Sequence, residues 1–484
     1  MRKTTIFICT FVLLFCTVIC GCNDNGQGQT TSYEINCELD GYTLIGSETV
    51  EFKNTSNNVI SQLKFNLFGN AFRKDAIYSP ISTQYLDKAY PNGASYGNMH
   101  IKNTYLGDKK VDFTIGGVDE NILIVDLNKE LFPDEKVSVR IDFTLSIANV
   151  IARTGYNEKT INLANFYPIL CAFSNGTFYE CVYYSLGDPF YSDCANYKVK
   201  LTCDKKYMVA SSGVEIDKTQ TQNKITSTFR IDNARSFAFV LSQDFKCEID
   251  DTSGTRIKYY YYDDEQPKTS IQYAVKAINL FKDKFGEYPY KTFSVVQTGF
   301  IQGGMEFPAL VMISDELEGL PYGEVIVHET AHQWWQTAVG NNEIECGFLD
   351  EGLSEYSVIL FYENYPEYGY TRQGLIKASE QTYKVFCSVY DKLNNNVNTT
   401  MIRSLKDFSS EYEYVNIAYI KPCIMYDYLR TTIGEERFFN SLKKYYKNYM
   451  FKNSTPDDLV GAFEKTNADT NGFFKSFFEG KEII

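Results

Sequence analysis

The stretch 327–340, VHETAHQWWQTAVG, holds two of the three histidines in a chain of 484 residues, and both of its tryptophans. Pro321 can open a helix and Gly340 can close it, which predicts one helix with HETAH in its middle. On such a helix His328 and His332 are four apart, so their imidazoles share a face one turn apart and suit two ligands of one metal ion. Glu329 is rotated by ~100°, too far to join them easily but able to reach a water on the metal. The competing reading is two core histidines satisfied by hydrogen bonds. With so few histidines available, a chance HExxH is expected on the order of once in a thousand such chains. Trp334 and Trp335 read as core packing that fixes this helix.

A catalytic zinc takes three protein ligands and keeps one position open. FLDEGLSEY, residues 348–356, offers Glu351 at the start of the next helix, with eighteen residues between it and His332. Asp350 and Glu355 flank it and are candidates to orient the ligands, although solvated carboxylates at a helix start account for them as well.

Upstream, from about Tyr33 to Phe245, the text is strand-like. SETVEFKN, KVSVRIDFTLS, YKVKLTC and KITSTFRI alternate polar with apolar or β-branched residues, and Gly, Asn and Asp clusters punctuate them. This predicts an all-β, sandwich-like domain over 33–247. Beyond it the pattern changes. RIKYYYYDD, TFSVVQTGF and LVMIS read as strands and SIQYAVKAINLFKDKFG as a helix, and from Pro321 the text is mostly helical to its last amphipathic segments. Residues 248–484 are therefore expected to form a mixed α+β domain, with a small sheet preceding a helical half.

Composition narrows the function classes. Apolar residues make up 44% of the chain and aromatic ones 15%, enough for sizeable cores in two or three domains. The net charge is −14 and no stripe of Lys and Arg stands out, which argues against nucleic acid as a principal partner. The leader MRKTTIFICTFVLLFCTVICGC has a basic start and an apolar run from Ile6 to Ile19. That run is short of the ~20 residues of a membrane span and fits a secretory signal. Ile19-Cys20-Gly21-Cys22 resembles a bacterial lipobox, with an unusual cysteine at position 20, so residues 1–22 are expected to be a lipoprotein-type signal segment whose last cysteine, Cys22, is lipidated after cleavage. Residues 23–32, NDNGQGQTTS, then form a polar tether. A plainly secreted form and an uncleaved anchor are the alternatives; each places the chain outside the cytoplasm. Of thirteen cysteines, nine lie beyond the leader without a CxxC pair, so no zinc knuckle is indicated. They read as small buried residues, with a disulfide or two possible around 171–203 and at least one free thiol.

HExxH, eighteen residues, then Glu at an EG-containing helix start resembles the zinc signature of the aminopeptidase N family, gluzincins that include leukotriene hydrolase. HQWW resembles that family too, as do GGMEFPAL (303–310), AYIKP (418–422), FGEYPY (285–290) and GDPFYSDCANYKV (187–199). The resemblance runs from about 160 to the C-terminus. It implies a thermolysin-like zinc peptidase domain over 248–484, with one Zn²⁺ per chain on His328, His332 and Glu351. Glu329 is then the general base, and Tyr419, favoured over Tyr412 and Tyr414 by its Y-x-K pattern, stabilises the oxyanion. Glu306 binds the free α-ammonium of a peptide substrate, and Gly303, Gly304 and Met305 lie along the substrate backbone. Tyr414 is a candidate assistant to Tyr419.

Departures from the family pattern are visible as well. Phe307 stands where many relatives have asparagine, Pro422 replaces the usual glycine, and no residue matches the glutamine that the β domain contributes to the amine subsite. The large C-terminal helical domain of longer relatives is not found, which implies a more open site. The expected function is an extracytoplasmic, lipid-anchored zinc aminopeptidase acting on peptides. The alternatives are a zinc endopeptidase or other hydrolase on the same site, and a non-catalytic peptide-binding surface protein.

Overall fold

A computed structural model describes residues 31–464 and 469–481. The expected signal and most of the expected tether (residues 1–30) lie outside the described residues, as does the proposed anchor Cys22. The first strand opens at Ser32. Among the described residues no helix is long and apolar enough to cross a membrane.

The N-terminal half is built of strands. In Lys136–Ser146, KVSVRIDFTLS, Val137, Val139, Ile141, Phe143 and Leu145 are buried and alternate with more exposed residues, the period-two pattern of a half-buried strand. It pairs antiparallel with Thr43–Lys53, Val50 facing Val139, and these two sit inside an eight-stranded sheet. Ser32–Asp40 joins that sheet parallel to Ala195–Asp204, with Tyr33 opposite Tyr197. A four-stranded sheet that includes Ile60–Asn66 and Ile122–Leu131 adds Leu63, Phe65, Leu123 and Val125 to the same apolar cluster.

Past the β domain, Lys246–Asp250 joins a new five-stranded sheet with the strands that follow it. The sheet order is Lys246–Asp250, Arg256–Tyr261, Thr292–Thr298, Leu310–Ser314, Gly304–Phe307. Thr292–Thr298 and Leu310–Ser314 are buried throughout, as expected of parallel strands covered on both faces. The helix Pro267–Phe285 makes the crossover that a parallel pair requires. Gly304–Phe307 is an edge strand, paired on one side with Leu310–Ser314.

The metal-motif helix spans Gly319–Ala331 and ends with His332 as its cap. It therefore stops eight residues short of the expected Gly340, and HETAH lies at its C-terminal end. The tryptophans explain the early stop. Both are fully buried, Trp334 among Phe281, Tyr288 and the Gly286 carbonyl that its Nε1–H reaches at 2.9 Å, Trp335 among Phe285, Tyr445 and Tyr446. A continued helix would send two adjacent indoles in directions ~100° apart, whereas a turn with Gln336 at φ 112° seats both. Gly340 serves another purpose. A Cβ there would overlap the guanidinium of Arg235, which donates to the carbonyls of Gln336 (2.7 Å), Ser192 (2.9 Å) and Lys452 (2.6 Å) and so ties the β domain to the turn behind the motif.

Among the described residues all nine cysteines are free, including Cys171, Cys181, Cys194 and Cys203, where a disulfide was considered. Those four are buried, so they act as small core residues.

Candidate metal centre and peptide cleft

The i, i+4 spacing survives the early helix end because His332 keeps a helical backbone, its N–H still bonded to the His328 carbonyl at 3.2 Å. His328 Nε2 and His332 Nε2 stand 3.1 Å apart, and Glu351 Oε2 lies 3.2 Å from each. Three donors on a triangle of that size share a point ~2 Å from each, the bond length of zinc to histidine nitrogen and carboxylate oxygen. Two nitrogens and one carboxylate, all on the cleft side, fit a tetrahedral zinc with its fourth position open. The other ring nitrogens are held in place. His332 Nδ1–H donates to the Trp335 carbonyl at 3.0 Å, and His328 Nδ1 lies 3.3 Å from Glu355 Oε2. The turn that buries the tryptophans therefore also presents the carbonyl that fixes the His332 tautomer. Asp350 Oδ2 lies 3.9 Å from His332 Nδ1, and its Oδ1 accepts from Asn341 Nδ2 at 2.8 Å.

Glu329 is 5% exposed, and its Oε2 has no hydrogen-bond partner among the described residues. Burial, reinforced by the nearby Glu306 carboxylate, pushes its pKa up to about 8. A dication on the adjacent ligands acts in the opposite sense. Gly304 makes room for this side chain, because a Cβ there would overlap the Glu329 carboxylate.

Glu306 alternates with Met305 and Phe307 on the edge strand. Those two side chains pack into an apolar cluster with Val296 and Met312, and Glu306 faces the cleft instead. The Met305 side chain therefore packs away from the cleft that Glu306 faces. Burial lifts Glu306 to about 7, with the neighbouring Asp188 and Glu351 charges adding to it and His332 opposing. Gly303, at φ 88°, and Gly304 line the same cleft, whose volume is about 200 Å³.

Tyr419 closes the far wall. Its hydroxyl donates to Glu351 Oε1 at 2.5 Å, and its ring lies nearly parallel to that of His328 at 5.9 Å. It sits on a six-residue π turn, Val415–Ile420, between the short helix Glu411–Tyr414 and the helix Lys421–Ile433. Pro422 accounts for the wide turn: it has no N–H to give the carbonyl of residue 418, so the α-helical ladder cannot run through. Two residues after Tyr419, the buried Lys421 Nζ donates to the Thr399 carbonyl at 2.6 Å and to the Phe477 carbonyl at 2.8 Å. Tyr414 packs edge-on against Tyr419, and Tyr412 is exposed.

One wall was not assigned a role from sequence. Asp188, from the β-domain loop GDPFYSD, lines the cleft and is paired with Arg153 at 2.8 Å. A buried ion pair facing a cleft leaves no periodic trace, and the motif 187–199 was the available signal.

Residues 269–477 match the model of the peptidase family M1 domain. Aminopeptidase M1-B of Oryza sativa subsp. japonica is 26% identical over 234 residues, covering 45% of this chain and 26% of that protein. Aminopeptidase N of Haemonchus contortus is 22% identical over 394 residues, covering 76% of this chain and 39% of its own. The chain thus spans well under half the length of these relatives. Among solved structures, an M1 zinc metallopeptidase from Deinococcus radiodurans superposes with a TM-score of 0.67 at 15% identity, over 95% of this chain and 96% of that one. A point mutant of that metallopeptidase bound to a Tyr-Ser-Ala substrate gives 0.64 at 16% identity, over 95% of this chain and 96% of its own.

Proposed function

Because the chain carries a peptidase family M1 domain over residues 269–477, we propose that it is a zinc aminopeptidase removing N-terminal residues from peptides. The observation that carries the reading is the meeting, in one cleft, of three converging metal donors, the carboxylate of Glu329 and the buried carboxylate of Glu306. The edge strand Gly304–Phe307 has one side unpaired, so a peptide can add to it as a further strand, with its ammonium at Glu306. Once placed there, the ammonium pairs with a buried carboxylate whose Oε1 has no hydrogen-bond partner among the described residues, and this selects a free N-terminus. Zinc on His328, His332 and Glu351 supplies a more acidic water and a polarised scissile carbonyl. Glu329 takes the proton from the attacking water and delivers it to the leaving amine. The Tyr419 hydroxyl donates to the oxyanion that develops on the substrate.

The test uses aminoacyl fluorogenic amides and their N-acetyl counterparts, each with and without a zinc chelator. Chelator-sensitive cleavage of the free amines alone is expected. Cleavage of both kinds would replace this reading with an endopeptidase, and silence with zinc bound would leave a peptide-binding protein.

The leader's basic start, apolar run and Cys22 support an extracytoplasmic, lipid-anchored location as part of the same proposal. Metabolic labelling with a fatty-acid analogue, lost in Cys22→Ala, is the expected result; equal labelling of both forms would refute it.

A further inference from the structure

Behind the amine end of the cleft, Glu306, Glu343 and Asp350 each bring one carboxylate oxygen within 4.8 Å of the others. The three residues are 2–4% exposed. Glu343 opens the short helix Glu343–Cys346, and neither of its oxygens has a hydrogen-bond partner among the described residues; Glu306 Oε1 is in the same state. Neither Glu343 nor Asp350 lines the cleft, so a substrate ammonium received by Glu306 does not serve them. The zinc donors are other atoms, those of His328, His332 and Glu351.

Buried carboxylates without donors are costly unless a positive charge joins them. The strongest charges acting on Glu343 are themselves carboxylates, those of Asp350, Glu306, Asp188 and Glu351, and with burial they hold its proton affinity far above the ordinary range. A shared proton bridges two oxygens and leaves a third acceptor bare, whereas a cation at the centre is bound by all three residues. Donors that are all oxygen and all anionic select a hard ion. Three carboxylates without imidazole or thiolate suit calcium, which takes oxygen ligands in varied geometry, better than magnesium, which demands a near-ideal octahedron and keeps several waters.

We propose that Glu306, Glu343 and Asp350 form a second cation site, of the calcium class, distinct from the His328–His332–Glu351 centre. An ion there holds the Glu306 carboxylate from behind, in the orientation that meets a peptide's amine. The site stands independently of the peptidase reading, because ion binding is read without turnover.

The experiment titrates terbium, a luminescent calcium substitute, into the full chain carrying one equivalent of zinc, with excitation at tyrosine. Tyr414, Tyr426 and Tyr445 lie within electrostatic reach of Asp350 and can sensitise the ion. Saturable emission from one terbium per chain is expected, displaced by calcium but not by equal magnesium. In Glu343→Gln, terbium affinity should fall at least about tenfold while zinc content stays at one per chain. Equal emission from the native chain and the variant, or emission that calcium does not displace, overturns the proposal. Should the variant fail to fold, elemental analysis of the native chain after dialysis against micromolar calcium decides: zinc with one calcium supports the site, zinc alone overturns it.

Discussion

At the scale of single residues, each of the two groups proposed to move or donate protons, Glu329 and Tyr419, faces the metal donors. Glu329 is buried, has one oxygen without a partner and lies against Gly304, so its replacement by Gln keeps the shape and removes the base. Glu329→Gln is expected to lower kcat by about 10²–10⁴-fold with zinc content unchanged, measured by initial rates beside elemental analysis. A fall in bound zinc in parallel with activity would instead assign Glu329 a structural role. Tyr419→Phe removes the hydroxyl that rests on Glu351. It should lower kcat by about 10²–10³-fold and leave KM nearly unchanged, because the hydroxyl donates to charge that develops in the transition state. Glu329 was legible in the sequence because HExxH is a spacing that metal chemistry dictates, whereas Tyr419 was marked only by its resemblance to the family's Y-x-K pattern. Asp188 and Glu343 were not given roles, because burial and the lack of a partner depend on what the fold brings near them.

At the scale of elements, sequence periodicity found long half-buried strands such as Lys136–Ser146 and the amphipathic helix Pro267–Phe285, did not single out short strands such as Thr154–Tyr156 and Ile169–Leu170, and misplaced the end of the metal helix. Pro321 and Gly340 are valid start and stop signals in isolation. The packing of Trp334 and Trp335 overrides the second, and Gly340 proves to be clearance for Arg235. The π turn was likewise out of reach, although its cause, Pro422, was noticed as a departure. Restoring an N–H at that position permits a regular helix and rotates Tyr419 off its present aim. Pro422→Ala should therefore reduce kcat roughly tenfold or more, as small misplacements of reacting groups do, without lowering the unfolding temperature. Circular dichroism melts run beside the kinetics check both halves. An equal loss of stability and rate would show instead that the proline acts through folding.

At the scale of the whole molecule, stability and function draw on both domains. Glu48 lies in the β domain, fully buried, with both oxygens unpartnered among the described residues, and burial holds its pKa well above the ordinary value. The folded state therefore keeps a proton that the unfolded chain releases above about pH 4.3. The stability this contributes is complete below that pH and is lost as pH rises toward the folded value. Glu48→Gln should raise stability at pH 7 by about 1–3 kcal/mol and flatten its decline between pH 5 and 8, read from denaturant melts across that range. Unchanged pH dependence would mean that another group carries the slope. The fastening of Lys421 to the Phe477 carbonyl has a further reach. The last described helix, Thr470–Phe478, is anchored two residues from the tyrosine that faces the metal donors. A tag, a proteolytic nick or a binding protein that pries this helix away would thus loosen the seat of Tyr419 and brake the proposed turnover from a distance, without touching the cleft.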